Sequence, residues 1–578
     1  MKRTTYAAAR AARYAIVVAS LGSGSAFAQT ASQITPPTYA SPAVPRTGPP
    51  VIAADTGTIA PAGSEAIDVR LFDVQVEGRA IDPATLAELR ARLIGKTVKV
   101  SEMFAAAHAI EVGFARRGHV LTRVVVPAQS LADGATLRLI VVEGYIERID
   151  TSHVPSPVAR RIAAILKPLE GDRSVTKADI ERKLLLAADI PGVQIRSTLA
   201  AGSVAGATVL VVEATHRPVT GFVTVDNTLP SALGRDAFGI GLNVNGALGF
   251  GETLYLRASG LPNTGRETSF LDPTPRNRAL AAGFILPIGN DGLTLNVEGT
   301  DARTAPRRDA GLPGFGSNFR RLSGRLRYPV VRSRALTASV EADFDAQDER
   351  VRIISPIVLP LSLDRLRIAR VSGDVRAYLA GGGVATALVR GSLGLDVLGA
   401  RSAADATPVL PLSRQGATAS FQKLELAASI DQPVAQHLSV SLQGHAQTAF
   451  GQVMANSEQI GLASLDALSP LPSGTLQGDA GYVGRGELRV PFGFSIGKGA
   501  GQLAPYGFGA YGGVRFENPT AFERRATDAY AYGGGVRILG SAGPNAPGVS
   551  ASIEYGRAHI DGFARETDRV SFTIVTQF

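Results

Sequence analysis

From about residue 217 to Phe578 the chain alternates apolar and polar residues with a period of two, and helical patterning is absent. "AFGIGLNVNG" sets Phe238, Ile240, Leu242 and Val244 against Gly239, Gly241, Asn243 and Asn245. "ALTASVEADFDAQD" sets Leu336, Ala338, Val340, Ala342 and Phe344 against Thr337, Ser339, Glu341, Asp343 and Asp345. "HLSVSLQGHAQ" opposes Leu438, Val440 and Leu442 to Ser439, Ser441, Gln443 and His445. Successive strand side chains point to opposite faces, so each segment has one apolar face and one polar, often charged, face. A sandwich in water and a barrel in lipid both use this pattern. Length favours the barrel: about 360 residues, at roughly 20–25 per strand and connection, give about 16 strands, and ~9–11 residues per strand span a bilayer. Backbone groups in lipid must all be bonded, which for strands requires closure. The chain also ends on a strand with Val570, Phe572, Ile574 and Phe578 on one face. With no Trp among 578 residues, interface girdles must be built from Tyr and Phe.

The N-terminus explains how such a segment reaches a membrane. Lys2, Arg3, Arg10 and Arg13 precede a short apolar run, Tyr14 to Leu21, and then Ala26-Phe27-Ala28, which predicts a secretory leader over residues 1–28 cleaved before Gln29. The run is too short for a membrane anchor, which needs about 20 apolar residues. No later segment is apolar for 18 residues, so export leads to the periplasm, the exterior or an outer membrane. The lack of cysteine suits an oxidising compartment. The leader's four basic residues reduce the formal net charge of +9 to a mild +5, and no Arg/Lys run with interleaved aromatics points to nucleic acid. Residues 29–66 are rich in Pro, Ala, Thr and Ser ("ITPPTYASPAVPRTGPP") and predict an extended or disordered linker.

Between linker and barrel lie two α/β units. The first, 67–145, opens with "IDVRLFDVQVEG", in which Phe72, Val74 and Val76 alternate with polar partners. A helix follows, with Asp82 as N-cap, Pro83 at its first position, Leu86, Leu89 and Leu93 on one face and Gly95 as its stop. A second helix starts at Ser101, buries Met103, Ala106, Ala107, Ile110 and Phe114, and ends at Gly118. Two apolar strands joined through Asp133-Gly134 complete a β-α-α-β-β unit near Gly144. The pattern repeats over 146–216 in "YIERIDTSHV", "SPVARRIAAILKPL", "TKADIERKLLLAADIPG", "VQIRSTLAAG" and "ATVLVVEATHR".

These residues resemble the outer-membrane transporters of two-partner secretion, the haemolysin secretion/activation family, whose POTRA (polypeptide-transport-associated) modules have this element order. The resemblance is carried in the first module by Gly118, Pro127-Ala128-Gln129, Asp133-Gly134 and Val142-Glu143-Gly144, and in the second by Leu184 to Leu186 and Pro191-Gly192-Val193. Asp226-Asn227 resembles the opening of the family's first barrel strand; "SGTLQGDAGYVGRGELRVP", with Gly478, Asp479, Gly481, Arg485 and Glu487, resembles the segment after its lumenal loop. The resemblance implies an α+β periplasmic portion of two tandem POTRA domains, then an all-β transmembrane barrel over 217–578. It implies client contacts in the first module at Gly118, Pro127, Gln129, Gly134, Glu143 and Gly144, and a C-terminal signal at Phe572, Ile574 and Phe578. The implied partners are a large β-helical secreted exoprotein, outer-membrane lipid and the barrel-assembly machinery, the chain itself being a monomer.

Two departures stand out. The family's lumenal loop carries Val-Arg-Gly-aromatic where this chain has Leu468-Ser469-Pro470-Leu471, and its Phe-x-Asp-x-Gly strand motif aligns with Phe508-Gly509-Ala510-Tyr511-Gly512. Ser469 replaces the arginine and Ala510 the aspartate. Losing one partner would strand a charge; losing both avoids that cost. The Pro-rich segment also shows no amphipathic helix of the kind many members place before the first module.

The function that follows is a translocase: sheet edges in the modules catch an unfolded exported chain by backbone pairing and feed it to the lumen. An assembly factor for other barrels, or a pore without a client, is the alternative. No GxxxxGK[ST] phosphate loop, HExxH or GxSxG is present, and "GFGAYG" lacks a βαβ setting, so neither a catalytic site, a metal nor a cofactor is expected.

Overall fold

The computed structural model describes residues 30–35, 60–261, 270–308, 311–521, 523–543 and 546–578. The leader at 1–28 and most of the linker, 36–59, lie outside these. The first module contains β1 (Asp68–Gly78), α1 (Pro83–Leu93), β2 (Thr97–Lys99), α2 (Val100–Arg116), β3 (Arg123–Val125) and β4 (Ala135–Val142). Its sheet runs β2-β1-β4-β3, with β1 and β4 parallel. Asp82 and Pro83 start α1, although the Asp82 side chain makes no capping bond, and Gly95 leaves the helix at φ +76°. Leu89 and Leu93 are buried against Met103, Ala106, Ala107, Ile110 and Phe114 of α2, one apolar stripe on each helix.

Three details differ from the sequence reading. The strand β2 was not expected, because three residues are too few to show a period. Helix α2 begins at Val100 rather than Ser101. In β1 a bulge between Leu71 and Asp73 shifts the phase, so Val69, Leu71 and Val74 are buried while Phe72 is 74% exposed, not on the face of Val74.

The second module contains β5 (Tyr145–His153), α3 (Ser156–Leu166), α4 (Lys177–Ala188), β6 (Val193–Ala201) and β7 (Ala207–His216), with sheet order β5-β7-β6. A capping box between Thr176 and Asp179 starts α4. Ile146, Ile162, Leu166, Ile180 and Leu210 form the centre of its core.

The remaining strands are β8 (Val219–Asp226), β9 (Ala237–Asn245), β10 (Thr253–Gly260), β11 (Asn277–Ile288), β12 (Leu293–Thr304), β13 (Gly314–Arg332), β14 (Leu336–Ser355), β15 (Leu359–Tyr378), β16 (Val384–Gly394), β17 (Gln422–Ala435), β18 (Leu438–Thr448), β19 (Ile460–Gly461), β20 (Gln477–Gly478), β21 (Ala480–Arg489), β22 (Phe492–Ile496), β23 (Gly499–Arg515), β24 (Ala526–Ser541), β25 (Gly548–Ile560) and β26 (Thr567–Gln577). All but β19 and β20 form one closed antiparallel barrel. Because β21 and β22 both pair with β23 and are separated only by Val490 and Pro491, they form one wall strand, and the barrel has sixteen. Closure is made by β26 on β8, from Thr573 opposite Asp226 to Gln577 opposite Phe222.

Side-chain direction settles the medium. Leu256, Leu322 and Leu442 point outward, more than half exposed, while Glu298, Arg325 and Asp345 point inward and are buried. A water-soluble sandwich would place these sets the other way round. Tyr482, Tyr511, Tyr530, Tyr532 and Tyr555 stand exposed on β21 to β25 toward the end remote from the modules, giving that side an aromatic girdle without Trp. At ~3.3 Å per residue and a tilt near 45°, the 20 residues of β14 rise about 45 Å, well beyond an apolar band ~25 Å tall. The strands β13 to β15 therefore stand above the membrane.

Candidate functional site

The loop 449–479, between β18 and β21, folds back into the barrel. Its two short strands, β19 and β20, pair with each other, and Leu462, Leu468, Leu471 and Leu476 pack on Val483, Phe508, Ala510, Ala529 and Ala558 of the wall. Small residues on β23 to β25 leave room for the loop. Ala510 belongs to this apolar contact, which explains why a carboxylate is not placed there.

At the tip Ser469 forms a polar anchor. Ser469 donates its hydroxyl hydrogen bond to Glu554 of β25 and accepts one from Arg485 Nη1 of β21 at 2.9 Å. Arg485 Nη2 donates to Glu554 Oε2 at 2.5 Å and its Nε to Glu487 at 2.9 Å. The Arg485 guanidinium lies 3.7 Å over the Phe508 ring, and the Tyr506 hydroxyl donates to Glu554 at 2.7 Å. The charge pair thus sits entirely on the wall, and the loop supplies the Ser469 hydroxyl and the Ala467 carbonyl to Arg485. Sequence reasoning picked out Ser469, Arg485 and Glu487 but missed Glu554, whose only sequence signal is an acid on the polar side of a strand.

The base of the loop is fixed by Asp479. Fully buried, it accepts from the backbone N–H groups of Met454 and Glu517, both at 2.9 Å, and lies 3.7 Å from Arg414. Arg414 also pairs with Glu523 and stacks 4.4 Å from the Phe516 ring, so two loops at the outer mouth converge on this one carboxylate. Beside it Gly478 and Gly481 allow close approach: a Cβ would lie 2.8 Å from Val514 Cβ and 2.7 Å from the Gly513 oxygen, respectively. Deeper in the lumen, Glu458 of the loop is held by Arg370 and Lys423 of the wall, each at 2.8 Å.

A second segment shares the lumen. Residues 30–35 were read as part of an unstructured linker, but Ser32–Ile34 forms a 3-10 turn inside the barrel. Ala31 N–H donates to Ser317 Oγ at 3.0 Å, and Ser32 donates to Glu349 from its N–H at 3.0 Å and its hydroxyl at 2.6 Å. Gln33 reaches Gln477 of the lumenal loop. Composition misjudged this stretch because its ordering depends on buried partners nearly 300 residues away.

The first-module candidates divide into two groups. Gly118, Glu143 and Gly144 meet at the joint between modules. Gly118 turns at φ +94°, and its carbonyl accepts from Lys177 N–H at 2.7 Å. A Cβ on Gly144 would lie 2.0 Å from the Leu121 oxygen. Glu143 is 3.7 Å from Arg79, which with Arg117 flanks His119; burial and these two cations hold the His119 pKa below its usual value. Pro127, Gln129 and Gly134 lie on the loop between β3 and β4. Gln129 donates to the Arg138 carbonyl at 2.9 Å and accepts from its N–H at 2.8 Å, covering β4 where β3 ends. Gly134 N–H donates to the Arg70 carbonyl at 2.8 Å.

The second module is bolted to the barrel. Arg332 forks onto Asp189 at 2.7 and 2.9 Å, and Asp291 accepts from Tyr328 at 2.7 Å and Lys183 at 3.1 Å. In the sheet of this module β6 pairs with β7 alone among the described residues and leaves a nine-residue edge open.

The family model for the haemolysin secretion/activation protein ShlB/FhaC/HecB matches residues 206–538, more than half of the chain, and that for the ShlB-type POTRA domain matches 69–144. The chain belongs to the ShlB/FhaC/HecB family. It is similar to the outer membrane transporter CdiB of Escherichia coli, 26% identical over 230 residues that cover 39% of this chain and 37% of that protein. The Dickeya dadantii CdiB is 24% identical over 388 residues, 66% of this chain and 65% of that one. The heme/hemopexin transporter protein HuxB of Haemophilus influenzae is 24% identical over 174 residues, 30% of each chain. The match to the first of these spans little more than a third of its length. Among solved structures, CdiB from Escherichia coli superimposes with a TM-score of 0.66 at 19% identity over 91% of this chain and 93% of that one. BamA from Haemophilus ducreyi lacking POTRA domains 1–3 gives 0.51 at 12% identity over 89% and 100%. Both share the fold. As a ShlB/FhaC/HecB family member the chain is an outer-membrane β-barrel with its POTRA modules in the periplasm.

Proposed function

We propose that this protein captures one unfolded exoprotein in the periplasm and passes it through the barrel to the cell surface. The supporting observation is the way the lumen is filled: apart from single backbone bonds such as Asp479 N–H to the Arg515 carbonyl, the loop 449–479 and residues 30–35 are held by side-chain contacts and join no wall strand in register, so they can leave without opening the barrel. The client adds a strand to the open edge of β6, since β2 and β3 of the first module offer only three residues each. In this reading Gly118, Glu143 and Gly144 set the angle between modules, and Gln129 keeps β4 from pairing promiscuously. The barrel-assembly machinery inserts the chain through its last strand, and the transporter acts as a monomer.

The test uses the lack of cysteine. A chain carrying Ser469→Cys with Glu554→Cys can be cross-linked at one place only. Cells with the oxidised variant should retain the exoprotein in the periplasm and release it after reduction. Undiminished secretion by the cross-linked form, or by cells lacking the protein, would refute the proposal.

A further inference from the structure

The outer wall facing lipid is not uniform. On β21 to β25 the upper interface is lined by tyrosines, but on β12 to β15 it carries charge. Asp301 stands opposite Arg320, Arg320 opposite Asp348, and Asp348 opposite Arg365, all on the outward face. Arg303 joins Asp301 at 3.0 Å and Arg367 joins Asp348 at 3.1 Å. With Arg278, 3.7 Å from Asp301, five guanidinium groups share two carboxylates, leaving three positive charges in excess, and Arg320 is 67% exposed. Exposed pairs of this kind stabilise a fold little.

Immediately below the band, on the membrane side, Gly299 lies between Ala282 and Leu322, and Leu322 is opposite Ala346. With small residues flanked by Leu256 and Leu322, the wall is hollowed into a groove of about 890 Å³ that reaches up to Arg320 and Arg367. Nothing occupies the space a Gly299 side chain would take within 4 Å.

We infer that this groove binds a phosphorylated, multiply acylated glycolipid of the outer leaflet, with acyl chains on the Gly299 floor and phosphate on the arginine band. Three features agree. Charges this close to hydrocarbon are tolerated only at headgroup height. A planar guanidinium matches phosphate with two parallel hydrogen bonds. The excess is cationic where the outer leaflet is anionic.

Full-length protein extracted in mild detergent should show bound phosphorylated glycolipid by native mass spectrometry. Folding is checked by heat-modifiable gel mobility. Gly299→Phe, which fills the groove, and Arg320→Ala with Arg365→Ala should each cut the bound fraction at least tenfold. Dephosphorylated glycolipid added to delipidated wild-type protein should bind at least tenfold less than the phosphorylated form, a comparison that needs no variant to fold. Excess inorganic phosphate should fail to displace the lipid. Equal retention by folded variants, equal binding of the two glycolipids, or displacement by inorganic phosphate would each overturn the inference.

Discussion

At the tip of the lumenal loop the Ser469 hydroxyl meets a charge pair, Arg485 and Glu554, carried by the wall. Arg485 and Glu554 are both buried, and removing Arg485 leaves the Glu554 carboxylate desolvated with only the Ser469 and Tyr506 hydroxyls and no cation, a cost of about 3–5 kcal/mol. Arg485→Ala should therefore free the loop, seen as larger single-channel conductance in planar bilayers and earlier thermal unfolding in detergent. Arg485→Lys, keeping charge but losing the fork, should fall between. Ser469→Arg alone would place a second cation beside Arg485 and raise conductance. Adding Ala510→Asp should bring it back toward wild type if the aligned positions face each other as the family motif implies. A different residue-scale constraint governs the module joint. Gly144→Ala cannot fit a Cβ 2.0 Å from the Leu121 oxygen, and limited proteolysis should cut between the modules of that variant much faster.

Between elements, the connection of α4 to the barrel turns is electrostatic and can be tested by pH. Burial opposes ionisation of Asp291, but the Tyr328 hydroxyl and Lys183 outweigh it and hold its carboxyl below the ordinary Asp value. A depressed folded pKa means the contribution is full above the ordinary value and is lost as pH falls through the lower folded one. Docking of the second module should thus survive mild acidification and loosen only below the usual carboxylate range, read as wider distance distributions between spin labels on module and barrel. Asp189→Ala should loosen it at neutral pH, because Arg332 then loses its fork. Some elements were legible in the sequence. The stripes of α1 and α2 each rest on contacts within a few residues. The bulge at Phe72 was not, since it depends on how β4 pairs with β1, information that the local alternation does not contain.

For the whole molecule, the outward apolar face is what commits the chain to lipid. Leu442→Arg, near mid-height of β18, should cost ~2–4 kcal/mol and shift the midpoint of urea unfolding in lipid vesicles, while a comparable change on the lumenal face at Gln443 should not. The sequence by itself determined two α/β units followed by a long all-strand segment, because period-two alternation over some 360 residues is a property of every strand separately and needs no knowledge of its neighbours; the direction of the side chains in the closed barrel decided its medium. It also singled out Ser469 and Arg485 for attention. Only the tertiary structure decided what these two residues bind. Ser469, Arg485 and Glu554 come from a loop and two non-adjacent strands, and the turn at Ser32 rests on Glu349, so each contact exists only once the barrel has closed and brought distant, chemically ordinary residues into one dry space.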